Sequence, residues 1–239
     1  MPYRRLPNTD QSRIRALGTA IDRYNSKSDD GEVITAKTFN DAIVVFPILE
    51  NVQHEYLLSL EKQKVASKKY YQQMHTARLY ISHFIQVLNF GVIRNEIKRE
   101  TKSLFYLEPD EFTVPDLSSE SLLLKWGECI IKGERERINR GGSPIYNPAI
   151  AKVSVHYEIF RDSCVSQKIF QKSTNRYLEQ ITSMRKEADT LIIDIWNQVE
   201  DYFRDYSETQ RREFCQAWGV RYYLRKTEKD KPATRSEND

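Results

Sequence analysis

Residues Ala149–Trp218 read AIAKVSVHYEIFRDSCVSQKIFQKSTNRYLEQITSMRKEADTLIIDIWNQVEDYFRDYSETQRREFCQAW, a run with no Gly or Pro. Val153, Tyr157, Phe160, Cys164, Gln167, Gln171, Thr174, Leu178, Ile181, Arg185, Ala188, Ile192, Ile195, Val199 and Tyr202 recur in it at alternating spacings of four and three. That is a heptad seam, apolar at both ends and polar in the middle, and it predicts one long helix with a single inward face. Asn147-Pro148, a capping residue followed by a proline, reads as its start.

A second seam precedes it. From Thr35 to Phe90 the only helix breaker is Pro47, and Ala42, Phe46, Leu49, Gln53, Tyr56, Leu60, Gln63, Ser67, Tyr70, Met74, Ala77, Ile81, Phe84 and Leu88 carry the same spacing. Pro47 removes one backbone hydrogen bond and is expected to bend this helix without ending it. Each segment, about 35–91 and 148–206, would span roughly 80 Å at 1.5 Å per residue. Helices so long exceed the globular norm, so a break at each polar middle is the competing arrangement. The absence of Gly and Pro there favours continuity. Packed antiparallel, Ile81, Phe84 and Leu88 would lie opposite Phe160, Tyr157 and Val153.

The two seams superimpose at an offset of 111 residues, matching Ile81, Phe84 and Leu88 to Ile192, Ile195 and Val199. Arg99–Tyr106 and Glu208–Cys215, which follow them, are also alike in kind. The pattern suggests an internal duplication with halves at about 35–107 and 148–216. Around it, a helix should begin near Asn8 or Thr9 with Ile14, Leu17, Ile21 and Tyr24 inward, leaving through a loop at 25–31. Another is expected over 119–139, carrying Leu122, Leu123, Trp126, Ile130 and Ile131. Glu108–Ser118 should be irregular, and Arg140-Gly141-Gly142-Ser143-Pro144 should turn the chain. Val220–Leu224 could be extended but has no evident sheet to join. Residues 226–239 are polar and charged, and a disordered tail is expected there. The fold class is all-α, a single helical domain over 1–225 built on two long antiparallel helices.

Composition agrees. The 239 residues hold only 8 Gly and 8 Pro, too few for the turns of a sandwich, barrel or Rossmann sheet. No apolar run is long enough for a membrane span, and no secretory signal opens the chain. Three cysteines, Cys129, Cys164 and Cys215, show no CxxC spacing, so buried thiols in a reducing cytoplasm are expected rather than disulfides or zinc.

The motifs of catalysis are missing. There is no Walker-type GK, no GxGxxG and no GxSxG. The residues three before His54, His75, His83 and His156 are Asn51, Gln72, Tyr80 and Val153, so the Glu-x-x-His of di-iron bundles is absent. His54-Glu55 opens an HExxH whose second His is replaced by Leu58. Glu50 and His54 are one turn apart and read as an exposed polar contact rather than a metal pair. Phe84, Phe160, Trp126 and Trp196 sit at core spacings and require no cofactor.

Charge is nearly balanced at +3, but it is unevenly placed. Lys62, Lys64, Lys68 and Lys69 cluster in the first polar middle, and Lys168, Lys172 and Arg176 in the second. Antiparallel packing would gather them into a basic girdle, flanked by Tyr70, Tyr71 and Tyr177, the mixture that nucleic-acid binders use. Glu187–Glu208 holds seven acids against one arginine. The ordinary reading of the lysines is a solvated stretch where the seam is weak.

Four strings, MPYRRLPNTD (1–10), RLYISHFIQVLN (78–89), LSSESLLLKWGECIIKGE (117–134) and GGSPIYNPAI (141–150), resemble an uncharacterised family of bacterial all-helical proteins. The resemblance implies an intact bacterial protein and assigns no activity, ligand or site residue. The expectation is therefore a non-enzymatic, cytoplasmic scaffold or interaction module without a cofactor, partnered by another protein or by itself. Polyanion or nucleic-acid binding through the girdle is the alternative.

Overall fold

A computed structural model describes residues 3–26 and 32–223, and the protein is all-α, with 76% of the chain helical. Helix α1 (Asp10–Asn25) is followed by α2 (Ala36–Ile93), a 3₁₀ helix (Arg99–Phe105), α3 (Glu120–Asn139), α4 (Ile150–Tyr202) and α5 (Glu208–Ala217). Both long helices run through their polar middles without a break. The expected tail at 226–239 and most of the loop at 25–31 lie outside the described residues.

Pro47 is tolerated inside α2 because it stands on the exposed face. The carbonyl it leaves without a helical partner belongs to Ile43, itself 44% exposed, where water can replace the lost bond.

The chain divides into two compact units, Ser59–Thr174 and the pair of segments Met1–Leu58 and Asn175–Asp239. Each takes part of α2 and part of α4, so the units cut across the two sequence halves. In the 59–174 unit the helices are antiparallel: Tyr80 stacks on His156 at 4.2 Å, and Gln167 Nε2 donates to Ser67 Oγ at 2.8 Å. Ile81, Phe84 and Leu88 share one core with Val153, Tyr157 and Phe160, as the seams require. The polar middle is bridged by hydrogen bonds, although Gln167 Oε1 is buried with no partner among the described residues. Thr174 Oγ1 donates to the Ser59 carbonyl at 3.3 Å, and to Phe170 O at 3.0 Å.

Helix α3 starts at Ser119, whose side chain accepts from Leu122 N. It closes this core by approaching its neighbours without side chains. A Cβ on Gly127 would fall 2.3 Å from the Tyr157 ring, and one on Gly133 would fall 2.8 Å from the Leu104 carbonyl. Directly after Gly133, Glu134 forms a buried two-pronged pair with Arg137, one turn on, at 2.7 and 2.8 Å. Glu134 Oε1 also accepts from Ile145 N at 3.1 Å, and Arg137 donates to Ser143 O at 2.6 Å. This knot ties α3 to the chain entering α4. Lys102 of the 3₁₀ helix is equally buried; its ammonium donates to Glu111 O and lies 4.5 Å from the Phe112 ring centre, and burial lowers its pKa.

In the other unit, α1 is capped by Thr9, whose hydroxyl accepts from Ser12 N. Ile14, Leu17, Leu49, Ile192, Ile195 and Val199 form its core around Trp196, which is 1% exposed. The acidic run supplies its clamps. Asp189 takes Arg13 at 2.8 Å, Asp194 accepts from Thr38 at 2.8 Å, and Glu200 takes Arg4 at 3.0 Å. These acids are therefore structural rather than a free patch.

Three expectations are corrected. Asn147-Pro148 does not start α4: its peptide bond is cis, Tyr146 and Ala149 pair across it, and the helix begins at Ile150. The extended C-terminal stretch does find a partner, because Tyr222–Tyr223 (β2) pairs antiparallel with Tyr3–Arg4 (β1), bringing together ends too distant for local patterning to connect. The segments after the seams also differ in kind, the first being 3₁₀ and the second α-helical.

Candidate interaction surface

The basic girdle resolves into separate placements. Lys62, Lys64, Lys68, Lys69, Lys168 and Lys172 belong to the 59–174 unit, and Arg176 to the other. All seven side chains are exposed. At 100° per residue, Lys62 and Lys69 are about 20° apart around α2, whereas Lys64 stands about 160° from Lys62. Lys62 and Lys69 thus hold one flank of the seam, and Lys64 and Lys68 the other. Arg176 lies over its neighbour Tyr177 at 5.3 Å.

Lys168 is already paired. Its ammonium donates to Glu120 Oε1 at 2.8 Å, while Tyr70 OH donates to Glu120 Oε2 at 2.9 Å. The ammonium holds the Glu120 carboxyl below its usual range; burial, then that carboxylate, pushes the Tyr70 phenol up. Glu120 comes from α3, about fifty residues from either basic cluster, and the seams carried no signal of it.

The thiols are quiet. Burial and the nearby Glu120 raise Cys164 to about 11, and burial raises Cys215. Cys129 departs from the expected burial: it is half-buried and also raised. In the native protein at neutral pH, a disulfide reagent should modify Cys129 first and slowly, with Cys164 and Cys215 reacting only on unfolding. Thiol release followed against time, in wild type and in Cys129→Ser, checks this; a fast phase that survives Cys129→Ser would contradict it.

The Gly141-Gly142 amides are not an anion nest. They donate to Ile138 O and Arg137 O at 2.9 and 3.0 Å and close the end of α3. Among the described residues no three His, Cys, Asp or Glu side chains gather as metal ligands, and no helix is long and apolar enough to cross a membrane. Glu50 and His54 are both exposed.

One outer face stands out. On α4, Val155, Ile159, Val165 and Ile169 are 54%, 41%, 57% and 61% exposed. At 100° per residue they occupy an arc of about 120°, opposite the core-facing Val153, Tyr157, Phe160 and Cys164. Their spacing, though not their residue order, is palindromic. Val155 and Ile169 are each seven residues from Asp162, and Ile159 and Val165 are each three from it. Asp162 lies mid-stripe with Arg161 Nε at 3.9 Å. Inward-seam logic had no reason to single out these residues, but their helical spacing was readable in the sequence.

No protein-family model, curated protein or solved structure matches the chain.

Proposed function

We propose that the protein is a non-enzymatic helical interaction module, and that the outer stripe of α4 is its docking face, with a second copy of the chain as the occupant. The palindrome supports this choice. An antiparallel pairing about a two-fold axis at Asp162 sets Val155 against Ile169 and Ile159 against Val165 of the other copy. A self-complementary patch of this kind is what a two-fold interface needs. A polar residue at the centre of an apolar seam fixes register at some cost in stability, and Asp162 occupies that position. The interface is small, so a dissociation constant on the order of micromolar or weaker is expected.

Sedimentation equilibrium over a concentration series tests it. Wild type should dimerise reversibly. Ile159→Asp and Ile169→Asp should each make the chain monomeric while leaving its melting within about 0.5 kcal/mol, as exposed positions do. Asp162→Asn should tighten the dimer by removing the facing like charges. A monomer at every concentration, or a dimer indifferent to both aspartates, would refute the assignment. Polyanion capture by the seven basic residues has less geometric support, since they divide between flanks and units and Lys168 is paired with Glu120.

A further inference from the structure

The 1–58/175–239 unit contains a cleft of about 360 Å³ lined by thirteen residues. Arg5, Arg15 and Arg221 are among them, and no Asp or Glu is. This unit is rich in acids, and several of its other arginines use them: Arg4 with Glu200, Arg13 with Asp189, Arg185 with Asp10, and Arg204 with Asp201. Arg5, Arg15 and Arg221 are exposed and make no ion pair with any described residue. Arg5 only overlies the Tyr223 ring, at 5.8 Å. Three guanidiniums with no carboxylate among the described residues lining the cleft repel one another, and a bound anion would relieve that repulsion.

The backbone brings them together. Beside the β1–β2 pair, Arg5 N donates to Arg221 O at 3.1 Å, which fixes two of the arginines side by side. Gly219, at φ +88°, lets the chain turn from α5 into β2 against α1; a Cβ there would meet Ala16 O at 3.1 Å. The third arginine, Arg15, shares that stretch of α1 with Ser12 and Thr19. Asn8 and Gln216 add neutral polar side chains, and Tyr223 contributes an exposed aromatic ring.

We infer that this cleft is a binding site for a small phosphate-bearing anion. Guanidinium forks match phosphate oxygens in pairs, and three of them suit a group carrying several negative charges. The volume falls in the range of small-molecule pockets and leaves room for an organic body beyond the phosphates.

Titration calorimetry of the full chain with inorganic pyrophosphate, in about 0.15 M salt, tests the site. Saturable binding at one site per chain is expected. The double variant Arg15→Gln, Arg221→Gln should weaken it by about tenfold or more, through loss of two charged contacts. Arg211→Gln, at a half-buried arginine outside the cleft, should leave it unchanged. The double variant should melt no lower than wild type without pyrophosphate, because it removes only repulsion. No saturable binding, or an equal loss in Arg211→Gln, would overturn the inference. So would undiminished binding in a folded double variant.

Discussion

Glu134→Ala should destabilise the protein by about 3–5 kcal/mol, the cost of leaving a buried arginine without its counter-charge. In wild type the Glu134 side chain is fully buried and that of Arg137 is 6% exposed, so little water can replace the missing carboxylate. Ile145 N loses its acceptor in the same step. At this chain length the loss corresponds to a fall in melting temperature of roughly 6–20 °C. The double variant Glu134→Leu, Arg137→Met should recover a large part of it, because two apolar side chains of similar volume need no partner. Thermal and urea melts followed by helical circular dichroism give both values. A single variant that melts like wild type would show that water reaches Arg137. The outcome bears on more than stability, since the pair anchors Ser143 and Ile145 and so sets how the chain enters α4.

Trp196→Ala should cost a similar amount, about 3–5 kcal/mol, for a different reason. Trp196 is 1% exposed among Leu17, Leu49 and Ile195, and truncation leaves a cavity that two long helices cannot close without moving along their length. Trp196→Phe should lose distinctly less, since it retains much of the ring volume. The denaturant midpoint, at unchanged slope, is the measurement. A loss below about 1 kcal/mol in Trp196→Ala would mean that this core collapses around the gap.

Much of the architecture was legible because it depends on spacing along one helix. The four-three pattern from Ala42 to Leu88 and from Val153 to Tyr202 assigned the inward faces. Phe84, Phe160 and Ile192 are fully buried or nearly so. Ser67 and Gln167 at polar seam positions bond across the pair, whereas Gln171, Leu178 and Tyr202, also assigned inward, are exposed. What escaped depends on meetings between distant segments. Tyr3–Arg4 and Tyr222–Tyr223 are two residues each, too short for alternation to show. Glu120 reaches Lys168 from a helix that carries its own pattern, so charge counting over the long helices overstated the girdle. Pro148 follows a good capping residue, yet the turn at Tyr146–Ala149 displaces the helix start to Ile150. The arginine cleft could not be read at all, since Arg5, Arg15 and Arg221 become neighbours only when the chain ends pair.

Residues 59–174 are contiguous, whereas the other unit is assembled from segments separated by that whole stretch. During synthesis the contiguous unit has all its partners as soon as residue 174 clears the ribosome. Residues 3–58 must wait, with Ile14, Leu17 and Leu49 unsheltered, until Ile192, Ile195, Trp196 and finally Tyr222–Tyr223 emerge to enclose them. Segment 3–58, about a quarter of the chain, thus spends synthesis with apolar side chains exposed, the condition in which a nascent chain is prone to aggregate.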